Sequence, residues 1–78
     1  MPTVLRIGPY RCFFYSGNRG EPMHIHVERD DNVVKYWLDP VRLQTSAGFG
    51  SAELRRIQRI IEDNRETLIE AWYEYFGE

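Results

Sequence analysis

A chain of 78 residues makes one domain, and a domain this small buries only roughly 60% of its unfolded surface. The single cysteine, Cys12, excludes an internal disulfide, so eleven aromatic residues are the main material for a core or an interface. A net charge of −2 excludes a global basic field for nucleic acid, although residues 1–42 carry +1 and residues 43–78 carry −3.

No apolar run approaches the ~20 residues of a membrane span, and no signal-peptide segment follows Met1. With its lone thiol, the sequence therefore reads as cytoplasmic. It holds no repeat or linker, and neither a phosphate loop, a nucleophile elbow nor a zinc-knuckle spacing.

Residues 1–43 read as strands. Thr3–Ile7 and Tyr10–Tyr15, joined by Gly8-Pro9, form a predicted hairpin in which Ile7 pairs with Tyr10. Leu5, Ile7, Cys12 and Phe14 then share the core face, while Val4, Arg6, Arg11, Phe13 and Tyr15 share the other. Cys12 is expected to be a buried structural thiol. Residues 16–22 are loop by their turn chemistry, with Arg19 near the interleaved arginines and aromatics.

His24–Arg29 alternates polar and apolar residues, the mark of a half-buried strand, and Val33–Leu38 returns beside it. A two-residue turn at Asp31-Asn32 would pair Val27 with Tyr36 and Ile25 with Leu38. Ile25, Val27, Val34, Tyr36 and Leu38 then face the core. The opposite, solvent-facing side holds His24 across from Asp39, His26 across from Trp37, and Glu28 across from Lys35. Val41–Leu43 is a candidate fifth strand.

Ser51 is the expected N-cap of a helix with Glu53 in its first turn. Neither proline nor glycine interrupts the chain from there to Phe76. Leu54, Ile57, Ile61, Asn64, Leu68, Ala71 or Trp72, and Tyr75 follow helical spacing. About 25 residues at ~1.5 Å each span ~38 Å, longer than the roughly 30 Å diameter of so small a domain. Either the helix kinks near Asp63-Asn64, or its aromatic end, Trp72 to Phe76, packs on another chain; the aromatics suit the second, which a homodimer through this helix and a complex with a different protein explain equally well. Arg55, Arg56, Arg59, Glu62, Asp63, Arg65, Glu66 and Glu70 are expected to be a solvated face with i,i+4 pairs.

The sharpest chemical feature is His24-x-His26, which puts both imidazoles on one side of a strand with alpha carbons ~6.5–7 Å apart. Three readings compete. Two exposed histidines are often ordinary surface residues. With Glu28 or Asp39 they make a two-histidine, one-carboxylate set for a divalent metal such as zinc, iron or manganese. Without any cofactor they suit acid–base catalysis, with Asp39 or Glu28 fixing a tautomer, on a substrate with a hydroxyl beside a phosphodiester, such as RNA. Arg6, Arg11 and Tyr15 would hold its phosphates and bases.

The segments Pro2-Thr3-Val4-Leu5-Arg6-Ile7-Gly8-Pro9-Tyr10-Arg11, Glu21-Pro22-Met23-His24-Ile25-His26-Val27 and Trp37-Leu38-Asp39-Pro40-Val41 resemble the domain-of-unknown-function 4160 family. So do Glu53-Leu54, Ile60-Ile61, Asn64, Leu68, Trp72 and Tyr75-Phe76 in the helix. The resemblance implies a small bacterial toxin of a type II toxin–antitoxin pair, neutralised by a small cognate antitoxin protein. Its dihistidine motif, here His24 and His26, is implicated in toxicity. Members usually carry a second proline where this chain has Met23, which loosens the backbone before His24.

The expectation is thus one α+β domain. A four- or five-stranded, mainly antiparallel sheet over residues 1–43 precedes one long C-terminal helix over 51–76. Its expected function is that of a toxin with a ribonuclease-like hydrolase or transferase site at His24, His26 and Asp39. A metal-binding domain and a non-catalytic interaction module are the alternatives.

Overall fold

The computed structural model describes residues 3–15, 17, 20–46 and 48–77. Arg19, a candidate for the basic face, lies outside them. Five strands, β1 (Thr3–Ile7), β2 (Tyr10–Phe13), β3 (His24–Arg29), β4 (Asn32–Leu38) and β5 (Val41–Thr45), form an antiparallel sheet in chain order. Two helices follow, α1 (Ser51–Asp63) and α2 (Arg65–Phe76). The α+β class is as the sequence implies, and the single long helix is replaced by two.

The first hairpin pairs as expected, Ile7 with Tyr10 and Leu5 with Cys12. The register shifts between Thr3 and Leu5, and Val4 packs against the core with Leu5 instead of on the far face. Cys12 is fully buried, and burial pushes its thiol up to about 11.

The second hairpin corrects the expected register. Asp30, not Asn32, takes the left-handed turn conformation (φ 56°), so the loop is Asp30-Asp31 and Arg29 pairs with Asn32. Each residue on β3 therefore meets a partner two positions earlier than expected. Ile25 faces Tyr36, His24 faces Trp37, and His26 faces Lys35. A shift of two keeps every side chain on its expected face, since side chains alternate with period two. Ile25, Val27, Val34, Tyr36 and Leu38 are all buried in the core.

The helical segment breaks at Asn64 (φ −116°, ψ 18°), where the Asn64 side-chain amide donates to the Ile60 carbonyl at 2.8 Å. The same carbonyl accepts the Asn64 backbone N–H at 3.1 Å. By spending its amide on the chain's own backbone, Asn64 competes with helix continuation. Leu68, Trp72 and Phe76, four residues apart, are buried, whereas Tyr75 is 43% exposed. The domain measures 34 × 23 × 21 Å with a radius of gyration of 11.5 Å, so nothing overhangs to demand a second chain. At the other end Gly50, not Ser51, stands at the N-cap, with no side-chain hydrogen bond there.

Glu53 anchors α1 to the sheet. Arg29, the last residue of β3, donates to both Glu53 carboxylate oxygens, the Nη2 bond being 2.8 Å, and the Tyr10 hydroxyl donates at 2.8 Å. The guanidinium hydrogen bond holds the Glu53 carboxyl below the usual carboxylate range. Tyr36 adds a hydroxyl bond to the Leu54 carbonyl at 2.8 Å. The expected ion pairs along the helices are not made among the described residues; Arg65 reaches instead to Asp39 at 3.0 Å and to the Leu38 carbonyl at 2.8 Å.

Because Trp72 packs edge-on against Phe14 and tilts against Phe76, its ring closes the core at one end of the sheet. Trp72→Ala is expected to cost about 3–5 kcal/mol, enough to unfold much of so small a domain, as read from urea denaturation.

Candidate functional site

His24 and His26 stand on β3 because the strand's period puts both on the side opposite Ile25 and Val27. That side is expected to face water. The structure contradicts this: His24 is 0% and His26 8% exposed.

Aromatic rings close over them. Phe13, itself 1% exposed, stacks on His26 at 5.4 Å between centroids, and Tyr15 meets His26 edge-on at 4.6 Å. The two imidazoles lie perpendicular at 5.2 Å. Trp37 from β4 and Trp72 from α2 meet His24 at 5.7 and 5.1 Å. The break at Asn64 thus helps build the site, since it lets α2 bring Trp72 against the first residue of β3.

His24 is polarised by its backbone. Its Nδ1 lies 2.8 Å from the Pro22 carbonyl oxygen, which can only accept, so Nδ1 carries the proton and donates it. In the neutral ring Nε2 is then the bare nitrogen. It is buried with no hydrogen-bond partner. An orphaned buried acceptor costs about 1–3 kcal/mol, so a native fold keeps it only where something else is gained.

Both imidazoles are poor proton carriers in this closed arrangement. Burial lowers the His24 pKa from its ordinary value. Burial, then His24 and then Lys35, lowers His26 to about 4. Both shifts favour the neutral ring in the closed site.

Lys35 is the nearest lysine or arginine along the sheet, directly across from His26. Its ammonium sits 4.8 Å over the Trp37 ring and 2.6 Å from a Glu21 carboxylate oxygen. That hydrogen bond draws the exposed Glu21 carboxyl below its usual range.

The other candidate residues are placed elsewhere. Asp39 lies in the β4–β5 turn on Arg65, not opposite His24, so the Pro22 carbonyl does the orienting expected of a carboxylate. Glu28 faces Val33 and is held by Arg11 at 2.8 Å. Among the described residues no three His, Cys, Asp or Glu side chains are grouped to hold a metal, so the His24, His26, Glu28 set is not assembled. Arg11 is committed to Glu28, to Thr3 at 3.1 Å and to the face of Phe13 at 4.3 Å. Arg6 is exposed, and Tyr15, 39% exposed, does border the histidines. Lys35 and Trp72 escape the sequence reading. For Lys35 the missed signal was the left-handed tolerance of Asp30; for Trp72 no local signal exists.

A family model, Domain of unknown function (DUF4160), matches residues 10–73. No curated protein and no solved structure matches the chain. No helix of the described residues is long and apolar enough to cross a membrane.

The lowered histidine pKa values fix the sign of the stability–pH relation. Between about pH 4 and 6.5 the unfolded chain binds more protons than the folded one at His26, so stability rises with pH across that window. It is complete above 6.5 and falls away toward 4. Urea unfolding should show a loss of about 3 kcal/mol from His26 between pH 7.5 and pH 4, and His26→Gln should remove that part.

Proposed function

The chain belongs to the domain-of-unknown-function 4160 family, and on that premise we propose that it is the toxin of a type II toxin–antitoxin pair. In this reading His24 and His26 act on a phosphate-containing target, RNA in particular. The observation that carries it is the bare, buried His24 Nε2, oriented from behind by the Pro22 carbonyl. A base held in one tautomer by a fixed acceptor is the arrangement general-base catalysis needs.

The chemistry follows from these groups. His24 Nε2 takes the proton of a ribose 2′-hydroxyl, whose oxygen attacks the neighbouring phosphorus. A 2′,3′-cyclic phosphate forms, and the 5′-oxygen leaves with a proton. His26, neutral in the closed site, takes up a proton from solvent when the target's phosphate lies beside it, because a nearby anion favours the charged imidazole, and donates it to the leaving 5′-oxygen; the proton on His24 returns to solvent. Lys35, across from His26, exchanges Glu21 for the phosphate. The target reaches Nε2 once the exposed Tyr15 ring swings off the edge of His26. A small cognate antitoxin would neutralise the activity. A metal reading has no third ligand among the described residues, and of the aromatic end proposed for docking Trp72 and Phe76 are core while Tyr73 and Tyr75 are exposed.

Growth after tightly controlled induction in a bacterial host tests the proposal. Wild type is expected to arrest growth, and His24→Ala plus His26→Ala, at equal soluble level, is expected not to. RNA from arrested cells should carry new ends with 2′,3′-cyclic phosphates. Arrest by both proteins would assign the toxicity to binding; arrest by neither would remove the toxin reading.

A further inference from the structure

The exposed face of α1 carries Arg55, Arg56 and Arg59, which with Ala52 line a shallow concavity. Arg56 lies within electrostatic reach of Tyr10 and Glu53. None of the three arginines enters an ion pair among the described residues: Glu53 is taken by Arg29, and Glu62 and Asp63, three and four residues beyond Arg59, do not pair with it. Arg59 stands four residues from Arg55 and three from Arg56. On a helix these are neighbouring positions, and like charges there are mutually destabilising. The stripe is therefore a local cost to α1, and an anion laid across it relieves that cost.

We propose that Arg55, Arg56 and Arg59 form a phosphate-binding surface for single-stranded nucleic acid. The inference rests on the RNA-directed reading above for the choice of RNA over DNA. Two features favour phosphates over an acidic protein segment. The concavity offers one methyl group, Ala52, and otherwise arginine, whereas tight protein docking needs buried aromatic or aliphatic anchors. Phosphate contacts, in contrast, give affinity through charge and counterion release alone. The guanidinium fork suits phosphate oxygens two at a time.

The stripe also sits usefully apart from the histidines. α1 packs through Ile57 and Ile61 on the side of the sheet that carries Ile25 and Val27, opposite the histidines, so its outward arginines hold a strand independently of that site.

Binding of a fluorescein-labelled twelve-residue oligouridylate to the full chain, followed by anisotropy from 20 to 200 mM salt, tests this directly. Each lost phosphate contact lowers the slope of log affinity against log salt by about 0.7, so Arg55→Gln/Arg56→Gln/Arg59→Gln should lower it by about 2. Its affinity at 50 mM salt should fall at least tenfold, while Arg42→Gln on β5 changes it less than twofold. All three arginines are exposed and repel one another, so a urea midpoint no lower than that of wild type is expected and confirms folding. Wild type that fails to bind at 20 mM salt, or a triple variant with unchanged slope, overturns the proposal. So does displacement by polyglutamate as effective as by unlabelled oligouridylate, which would assign the surface to an acidic protein. The salt slope reads binding and not cleavage, so a failed histidine mechanism leaves the arginine-dependent part of the slope in place, whereas a failed arginine surface shows none.

Discussion

Asn64 controls the architecture. A continuous helix from Ser51 to Phe76 would run past the end of a five-stranded sheet and leave its aromatic end in water. With its side-chain amide and its backbone N–H both on the Ile60 carbonyl, Asn64 ends α1 there and α2 starts at Arg65. α2 buries Leu68, Trp72 and Phe76. Trp72 then touches Phe14 and His24 at once. Core closure and the burial of the histidine site are therefore one event, and anything that straightens the helix opens both.

The site that results is unusual in its economy of polar partners. His24 has one hydrogen bond, to a main-chain carbonyl, and otherwise rings. Aromatic edges and faces satisfy packing but leave a lone pair unmatched, so Nε2 keeps a free lone pair in a dry setting while burial discourages a charge on the ring. Such a group is quiet until a polar target reaches it. The neighbouring charges, Lys35 and Glu21, neutralise each other at 2.6 Å and so leave little field across the pair until one of them is drawn away.

Charge is distributed to match this division. Apart from the exposed Arg6 and Arg42, the sheet side spends its cations locally, Arg11 on Glu28, Arg29 on Glu53 and Lys35 on Glu21. The exposed turns of α1 do not. An acidic chain can thus present a small basic surface without a basic field overall, because the imbalance is local to one helix face.

The strand faces were legible in the sequence, because burial on one side forces period two. Ile25, Val27, Val34, Tyr36 and Leu38 could share a face in only one way. The histidine pair was legible for the same reason, as was the buried Cys12. The partner of each residue was not legible. Moving the turn by one position changes every pairing by two and no facing, so hydrophobic pattern is blind to it, and Asp39 stood in the place that Trp37 holds. The burial of the far face was also out of reach. Strand alternation calls His24 and His26 exposed, and only α2, arriving from about fifty residues later in the chain with Trp72, covers His24. Local sequence sets which way a side chain points, and tertiary packing decides what it meets there.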